Sequence, residues 1–201
     1  MLFRNSIMTL SSPLNLDAAT TALVLIDLQQ GILPYAKAPY DAAAVLAHAA
    51  PLASAFRAAK SPVVLVMVGF SADGGDVLKA TVDAPNPPGA PPANWLAEPA
   101  ELPPQPGDLH ILKRQWGAFH GTELDLQLRR RGIRTIVLAG IATSIGVEST
   151  ARVAWELGYD VVFAEDATSG PDAAMHANSF EKVFPRLGRV RKTADVLAAL
   201  K

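Results

Sequence analysis

The strongest constraint on the fold is a set of five short runs in which apolar residues follow one another without alternation. A strand with one face in water alternates apolar and polar residues, whereas a strand buried on both faces reads as a continuous apolar run rich in Val and Ile. These runs therefore predict central strands of a parallel sheet. They cover residues 21–28, 62–69, 108–113, 135–141 and 160–166, and a short charged segment at 189–192 suits an edge strand.

The segments between these runs carry helical spacing and helix end signals. Pro51 predicts a break or kink in the first helix, Gly132 and Gly158 end the next two, and Thr193 is the expected N-cap of the last. The four predicted helices cover residues 42–60, 122–131, 144–157 and 193–200. Strands that alternate with helices predict a right-handed parallel α/β sheet with helices on both faces.

Composition limits the function classes that this chain can serve. With 201 residues, half of them hydrophobic, the chain is expected to form one domain over residues 1–201, with its core at about 19–200. A net charge of −1 gives no field that favours nucleic acid or an anionic membrane. Cysteine is absent, which excludes disulfides, cysteine-bound metals and a thiolate nucleophile.

No cofactor or metal is predicted from sequence motifs. The four histidines share no metal-ligand spacing, and neither a Walker-type loop nor a GxGxxG loop occurs. The N-terminus has one Arg and only short apolar patches, so it does not read as a signal peptide, and no run is long enough to span a bilayer. A soluble cytoplasmic protein is the default expectation.

A proline-rich loop at residues 83–107 interrupts the pattern. Nine of the 16 prolines lie between Pro85 and Pro106, which is too many for a regular helix or strand. A plain surface excursion with a short helix near residues 94–98 is one interpretation. A lid or an oligomer contact is the other, because loops of this length are often functional.

Polar groups follow three of the predicted strands, at the edge where open α/β folds bind ligands. Asp27 ends the first strand. Lys113 ends the third, where Arg114 competes with it, because neighbours in an extended segment face opposite sides. The turn at residues 140–146 ends the fourth strand and begins a helix, whose free N–H groups suit an oxyanion or a substrate carboxylate. We expect the three features to meet in one crevice.

Two aromatic residues follow Lys113 closely. Trp116 and Phe119 are placed to wall an apolar pocket, although aromatic side chains more often belong to the core. Gly146 lies where a nucleophile would be placed at this turn, yet it carries no side chain. Helix geometry turns Ser144 and Ser149 away from that face, so neither serine is expected to replace a thiol.

Several spaced motifs make the chain similar to the isochorismatase-like hydrolase superfamily, also called the cysteine hydrolases. They are DLQ at residues 27–29, Lys113 followed by WGAFHGTELDLQLRRRGI from residue 116, and LAGIATSIGVESTARVAWELGYDV from residue 138. The resemblance covers most of the chain. It implies an α/β fold, specifically a Rossmann-like three-layer sandwich with a six-stranded parallel sheet, in a homo-oligomer such as a dimer or tetramer.

The resemblance also implies an Asp–Lys–Cys triad at the carboxyl edge of the sheet. Asp27 matches the acid, Lys113 matches the lysine, and the cysteine position falls at Gly146. The tight turn of the family, often with a cis peptide bond, would fall between Ala142 and Thr143. By the same resemblance, the substrate-binding residues are Gln29, Trp116, Phe119, Ala142 and Thr143.

The missing thiol leaves two functions open. One is hydrolysis of a small, carboxylated substrate without a thiol, with Asp27 as general acid or base, as the similar isochorismatases proper are thought to work. An unperturbed carboxyl with a pKa of about 3.9 is protonated in only about one molecule per thousand at pH 7. Burial raises that pKa and Lys113 lowers it, so the balance stays open. The alternative is a catalytically inactive paralogue that binds a small molecule, or a purely structural oligomer partner.

Overall fold

A parallel sheet forms the centre of the molecule. The computed structural model describes residues 13–85 and 91–201, and within them six strands form one sheet. The strands are β1 (Thr21–Ile26), β2 (Val63–Val68), β3 (Leu109–Lys113), β4 (Thr135–Ile141), β5 (Asp160–Ser169) and β6 (Gly188–Arg191). Their spatial order is β3-β2-β1-β4-β5-β6, and every neighbouring pair is parallel. The five apolar runs and the charged edge segment are confirmed as strands.

Helices cover both faces of the sheet. They are α1 (Ala42–Ala58), α2 (Leu124–Arg130), α3 (Glu148–Glu156), α4 (Ala173–Asn178), α5 (Phe184–Leu187) and α6 (Thr193–Ala199). A short 3-10 turn lies at Leu33–Tyr35, and π-helical turns at Thr143–Val147 and Ser179–Val183 lead into α3 and α5. The helix α1 continues through Pro51 without a break. The helical segment that contains α4 and α5 is absent from the sequence prediction.

Two local predictions are wrong. The short helix expected near residues 94–98 is a turn at residues 93–96. The N-cap of α6 is Lys192 rather than Thr193, because the N–H and the hydroxyl of Thr193 both donate to Asp166 Oδ1, at 2.7 Å each. The N-terminal residues 1–12 and residues 86–90 of the proline-rich loop lie outside the described residues.

The sheet separates two hydrophobic layers. Along β1, Leu23 and Leu25 face the layer that holds α1 and α6, while Val24 and Ile26 face the layer that holds α2, α3 and α5. Alternate residues of one strand thus enter opposite layers, and both layers are dry, which explains why the strand sequence is apolar throughout. Within the part of the chain that the structure describes, no helix has the length and apolar character needed to cross a bilayer.

The strand order places a crevice between β1 and β4. From β1 the chain moves outward to β2 and β3, then returns to the other side of β1 as β4, so the connections leave these two strands in opposite directions. Ligand sites of doubly wound folds form at such a point, outside the carboxyl ends of the strands. Gly140 holds β1 and β4 close there: its φ is +124°, and a Cβ would lie 2.1 Å from the Ile26 carbonyl oxygen.

Candidate active site

A buried ion pair occupies the carboxyl edge of the sheet. Asp27 follows β1 directly, and Lys113 is the last residue of β3. Lys113 Nζ donates to Asp27 Oδ2 at 2.6 Å, and the two side chains are only 1% and 7% exposed. The strand β2 lies between β1 and β3, so the long lysine side chain reaches across it. The structure therefore brings these two predicted site residues together.

The carboxylate of Asp27 is only partly satisfied. Oδ2 accepts from Lys113, whereas Oδ1 is buried and has no hydrogen-bond partner among the described residues. Burial raises the pKa of Asp27 to about 6, and the opposing effect of the Lys113 ammonium is smaller. A buried carboxyl that titrates near neutral pH and keeps one oxygen free is suited to proton transfer.

The competition between Lys113 and Arg114 is settled by the direction of their side chains. Lys113 enters the crevice, and its Nζ donates a second hydrogen bond to the Gln115 carbonyl oxygen at 3.2 Å. Arg114 points the other way and pairs with Asp76, which in turn accepts from the Ser71 N–H. Arg114 thus ties down the loop after β2 and leaves the crevice to the lysine.

Gly146 lies beside the carboxylate. It belongs to the π-helical turn Thr143–Val147 that follows β4. A Cβ at this position would lie 3.2 Å from Asp27 Oδ2, 3.0 Å from Ile26 Cγ2 and 3.5 Å from the Trp116 carbonyl oxygen. A side chain at position 146 would therefore begin in contact with the carboxyl group of Asp27.

The turn after β4 differs in one detail from the prediction. The cis peptide bond joins Ile141 to Ala142, one residue earlier than the expected position between Ala142 and Thr143. The Ala142 carbonyl oxygen then accepts from the N–H groups of Ile145 and Val147, at 3.1 and 3.2 Å. Ala142 and Thr143 are both buried at this edge of the sheet.

Gln29 holds backbone segments together. Its amide nitrogen donates to the carbonyl oxygens of Val68 and Trp95, at 3.0 and 2.9 Å, and its carbonyl oxygen accepts from the Val68 N–H at 2.8 Å. Both amide hydrogens are therefore used, and the residue is fully buried. The side chain thus fastens the proline-rich loop to the end of β2, and its predicted contact with a ligand stays a prediction.

Trp95 is the residue of the proline-rich loop that contacts Gln29 and Val68. Its indole N–H donates to the Val68 carbonyl oxygen at 2.7 Å. Its ring lies directly on Gly31, where a Cβ would come within 2.4 Å of the ring. The described part of the loop is therefore docked on the carboxyl edge of the sheet, next to the residues that follow Asp27.

The two predicted pocket aromatics separate in the structure. Trp116 places its carbonyl oxygen near Gly146, but its side chain is 62% exposed. Phe119 is 7% exposed and lies in the core cluster with α2 and α3, with its ring centroid 5.8 Å from that of Tyr159. Phe119 thus packs in the core between the sheet and the helices, and its predicted place in a ligand pocket stays a prediction.

A second polar cluster lies on the β5 side of the same turn, and no sequence motif indicated it. Thr143 Oγ1 lies 2.8 Å from His176 Nδ1, and His176 Nε2 lies 3.5 Å from Glu165 Oε1. Glu165 also accepts from Tyr40 and Lys192. Burial alone would raise the pKa of Glu165, but hydrogen bonds from His176, Lys192 and Tyr40 outweigh it and lower the pKa to about 2.

Neither cluster is built like a metal centre. Among residues 13–85 and 91–201, no three histidine, aspartate or glutamate side chains converge in a way that could hold an ion. The side chains nearest the crevice are a carboxyl, an ammonium and a hydroxyl. Their chemistry is proton transfer, hydrogen bonding and the binding of an anion at the helical turn after β4.

Comparison with known sequences identifies a family profile over most of the chain. The profile described as Isochorismatase domain matches residues 21–195. The isochorismatase family protein YecD of Escherichia coli O157:H7 is 57% identical over 187 residues, which cover 93% of this chain and 100% of YecD. The ureidoacrylate amidohydrolase RutB of Variovorax paradoxus is 33% identical over 181 residues, which cover 78% of this chain and 71% of RutB.

Comparison with solved structures gives the same family. The structure of an isochorismatase family protein from Burkholderia thailandensis superimposes with a TM-score of 0.89 at 47% sequence identity. The match covers 94% of this chain and 98% of that chain. The chain therefore has an isochorismatase-like fold.

Proposed function

The chain belongs to the isochorismatase family of hydrolases, and from this membership we propose that it hydrolyses a small, carboxylated substrate without a thiol, using Asp27 as general acid or base. One observation carries the proposal. The Asp27 carboxyl is buried, has a free oxygen and titrates near neutral pH, directly beside a residue that has no side chain.

We place the nucleophile position of the family at Gly146. The resemblance of the turn sequence supports this assignment, and so does the 3.2 Å between a Cβ built there and Asp27 Oδ2. With no cysteine in the chain, the acyl-thiol route is closed. We propose that the substrate, or the water that completes hydrolysis, approaches Asp27 from the side where a thiol would otherwise stand.

The raised pKa makes an acid role for Asp27 feasible. With a pKa of about 6, about one Asp27 carboxyl in ten is protonated at pH 7, about a hundredfold more than for an unperturbed aspartic acid. The ammonium of Lys113 stays on Oδ2, so the proton to be transferred belongs on Oδ1, the oxygen without a partner. The ion pair thus orients the acid and leaves its buried Oδ1 without a partner among the described residues.

Such a site fits a reaction that needs no enzyme nucleophile. In hydrolysis of a vinyl ether, Asp27 would protonate the alkene carbon, and water would capture the resulting oxocarbenium-like cation. The water then loses a proton to the Asp27 carboxylate, which restores the acid and gives a hemiketal. The ether C–O bond of the hemiketal then breaks, which releases an alcohol and a carbonyl product. We propose that the substrate carboxylate binds at the turn after β4, where a helical N-terminus presents backbone N–H groups.

The second candidate is a catalytically inactive paralogue that binds a small molecule in the same crevice. The absent thiol favours this candidate. The relative RutB is an amidohydrolase, and this chain has no cysteine for the acyl-thiol route of the family. A buried ion pair with one unpartnered oxygen argues for an active site instead, because an apolar pair of similar volume is often no less stable. In either case we propose that the protein works as a homo-oligomer, a dimer or tetramer, with a small-molecule ligand.

A turnover screen separates the two candidates. The purified protein would be incubated with isochorismate, nicotinamide and N-carbamoyl compounds, beside the variants Asp27→Asn and Gly146→Cys. We expect the wild type to turn over a vinyl-ether substrate and the Asp27→Asn variant to lose that turnover while keeping its circular dichroism spectrum. A fully active Asn variant would end the acid role.

The Gly146→Cys variant is the matched control for the crevice. Amide hydrolysis by this variant alone would show that the fold supports the thiol route and that the natural reaction lies elsewhere. A ligand that raises the melting temperature of the wild type without being consumed by it would support the binding paralogue in place of the enzyme.

A further inference from the structure

His176 is a buried titratable residue that the proposed mechanism does not use. His176 is 4% exposed and lies in α4, which packs against the turn after β4. Its ring stacks on Phe180, with centroids 4.5 Å apart, and meets the edge of Tyr40 at 6.3 Å. The ring therefore has a fixed orientation, with one nitrogen toward Thr143 and the other toward Glu165.

The direction of the hydrogen bond follows from the groups on either side. Glu165 is an ionised carboxylate, held in that state by Lys192 and Tyr40, and can only accept. The nitrogen that faces it, Nε2, lies 3.5 Å from Glu165 Oε1 and makes no hydrogen bond within the described residues, and this carboxylate favours the tautomer with the proton on Nε2. In a neutral imidazole Nδ1 is then an acceptor, so the Thr143 hydroxyl donates to it at 2.8 Å.

This hydrogen bond acts on the element that carries Gly146. Thr143 is the first residue of the π-helical turn, and Gly146 lies three residues later in the same turn. Gly170 closes the other side of Thr143, because a Cβ there would lie 3.5 Å from the Thr143 nitrogen and 3.6 Å from its hydroxyl. The hydroxyl thus fixes the start of the turn that carries Gly146.

We infer that His176, backed by Glu165, is a positioning residue that holds the turn after β4, through the Thr143 hydroxyl, in the orientation that stabilises negative charge beside Asp27. The inference rests on the same site as the proposed function and adds to it a fixed anion-binding turn. It does not depend on which substrate the protein hydrolyses.

A thiol placed at position 146 reports on this orientation directly. The chain has no cysteine, so Gly146→Cys introduces its sole thiol, and the parent protein is an exact spectroscopic blank. Ultraviolet thiolate absorbance as a function of pH then gives the pKa of that thiol. A helical N-terminus lowers a thiol pKa, so a displaced turn raises it.

Three substitutions in the Gly146→Cys background separate hydrogen bonding from packing. His176→Phe keeps the ring stack and removes both nitrogens, His176→Asn keeps an acceptor near the position of Nδ1 but loses the ring, and Thr143→Val removes the hydroxyl with little change of shape. We expect the Phe and Val variants to raise the thiol pKa by about one unit, a tenfold loss of thiolate below that pKa. The Asn variant is expected to stay nearer the parent value.

The outcomes decide between positioning and packing. Unchanged thiol pKa values in the Phe and Val variants would overturn the inference, as would a shift in the Asn variant alone. If both His176 variants shift the pKa, the Thr143→Val variant decides, since it leaves the ring in place. Circular dichroism confirms folding of each variant. None of these readouts needs turnover, so a failure of the proposed hydrolysis and a failure of this inference are distinguishable.

Discussion

Asp27 and Glu165 lie on opposite sides of the same turn, and their pKa values move in opposite directions. Asp27 is the more deeply buried of the two and is paired with a lysine, yet its pKa rises to about 6. Glu165 has a side chain that is 18% exposed and also pairs with a lysine, but its pKa falls to about 2. A lysine neighbour alone therefore does not decide the charge state of a buried carboxyl.

The number of hydrogen-bond donors explains the difference. Tyr40 donates to both oxygens of Glu165, at 3.1 Å each, Lys192 donates to Oε2, and His176 approaches Oε1. Asp27 has one side-chain donor on Oδ2 and none on Oδ1 among the described residues. Donors replace the hydration that burial removes, so the satisfied carboxylate stays ionised and positions its neighbours, while the unsatisfied one is ready to take a proton.

Removal of Lys113, the lysine that pairs with Asp27, should have the largest effect on the free energy of unfolding. Lys113→Met leaves the Asp27 charge buried without a partner, and we expect a loss of about 3–5 kcal/mol in the free energy of unfolding at pH 7. Urea denaturation measures this loss. Because the variant retains an Asp27 carboxyl that neutralises readily, the loss should shrink as the pH falls toward 4.

The pair of Arg152 and Glu148, in which the cation that is removed is exposed, supplies the control for that experiment. The Arg152 side chain is 55% exposed and bonds Glu148 four residues earlier in α3. Arg152→Met is expected to cost about 0.3–0.5 kcal/mol. A comparable loss in both variants would mean that burial does not distinguish the two ion pairs.

The pH dependence of turnover tests the free oxygen of Asp27. The folded pKa of about 6 lies above the ordinary value, so the protonated acid is present below pH 6 and is lost as the pH rises. For a general acid, kcat/KM should be level well below pH 6 and fall about fiftyfold between pH 6 and pH 8, equivalent to about 2.3 kcal/mol. A rise up to pH 6 followed by a plateau would instead assign Asp27 as a general base, and a flat profile would contradict both roles.

Removal of the charge of Glu165, whose oxygens have several hydrogen-bond donors, should lower the free energy of unfolding by less. Glu165→Gln keeps the shape but weakens the bonds to Lys192 and Tyr40, and we expect a loss of about 1–2 kcal/mol at pH 7. The folded pKa lies below the unfolded one, so this stability is present above about pH 4.5 and is lost as the pH falls toward 2. Urea denaturation at pH 7 and pH 3 measures the change.

Glu181 is the matched exposed carboxyl. Its side chain is 66% exposed, and its lysine contact is 4.0 Å long. Glu181→Gln should leave the free energy of unfolding unchanged within error at both pH values. A pH-independent loss in the Glu165→Gln variant would show that its hydrogen bonds act without charge.

The smallest effect is expected from a methyl group beside Asp27. Gly146→Ala gains helix propensity but places a Cβ 3.0 Å from Ile26 Cγ2, so the net change in stability should stay below about 1 kcal/mol. The methyl further desolvates Asp27 and should raise its pKa above that of the wild type. Carbon-13 NMR titration of the Asp27 carboxyl measures this pKa, and a lower value in the variant would contradict the desolvation argument.

The sheet and its order of elements were readable from local sequence because each strand is dry on both faces. The run at residues 135–141 coincides with β4, and even the charged edge strand was found within one residue at each end. The segment from α4 to α5 escaped prediction because it alternates short α- and π-helical turns with no single apolar period. His176 lies in that segment, so the positioning cluster was invisible as well.

The site was predictable only in part. Asp27 and Lys113 could be placed at one edge because parallel strands end together, and this contact is present in the structure. The contacts of Gln29 and Phe119 could not be predicted, because a short motif does not show whether a side chain contacts the crevice, the backbone or the core. Gln29 meets the backbone of Val68 and Trp95, 39 and 66 residues away, a pairing that no local pattern encodes.

By itself, the sequence determined the parallel sheet, the carboxyl-edge placement of an acid and a lysine, and the exclusion of any thiol, since each depends on residue type and on local periodicity. Only the tertiary structure decided that Asp27 keeps a free oxygen and a raised pKa, and that Thr143 is held by His176. Those properties depend on desolvation and on hydrogen-bond donors from distant parts of the chain. Lys113 lies 86 residues from Asp27 in the sequence, and the pKa of Asp27 is set only when folding removes both side chains from water.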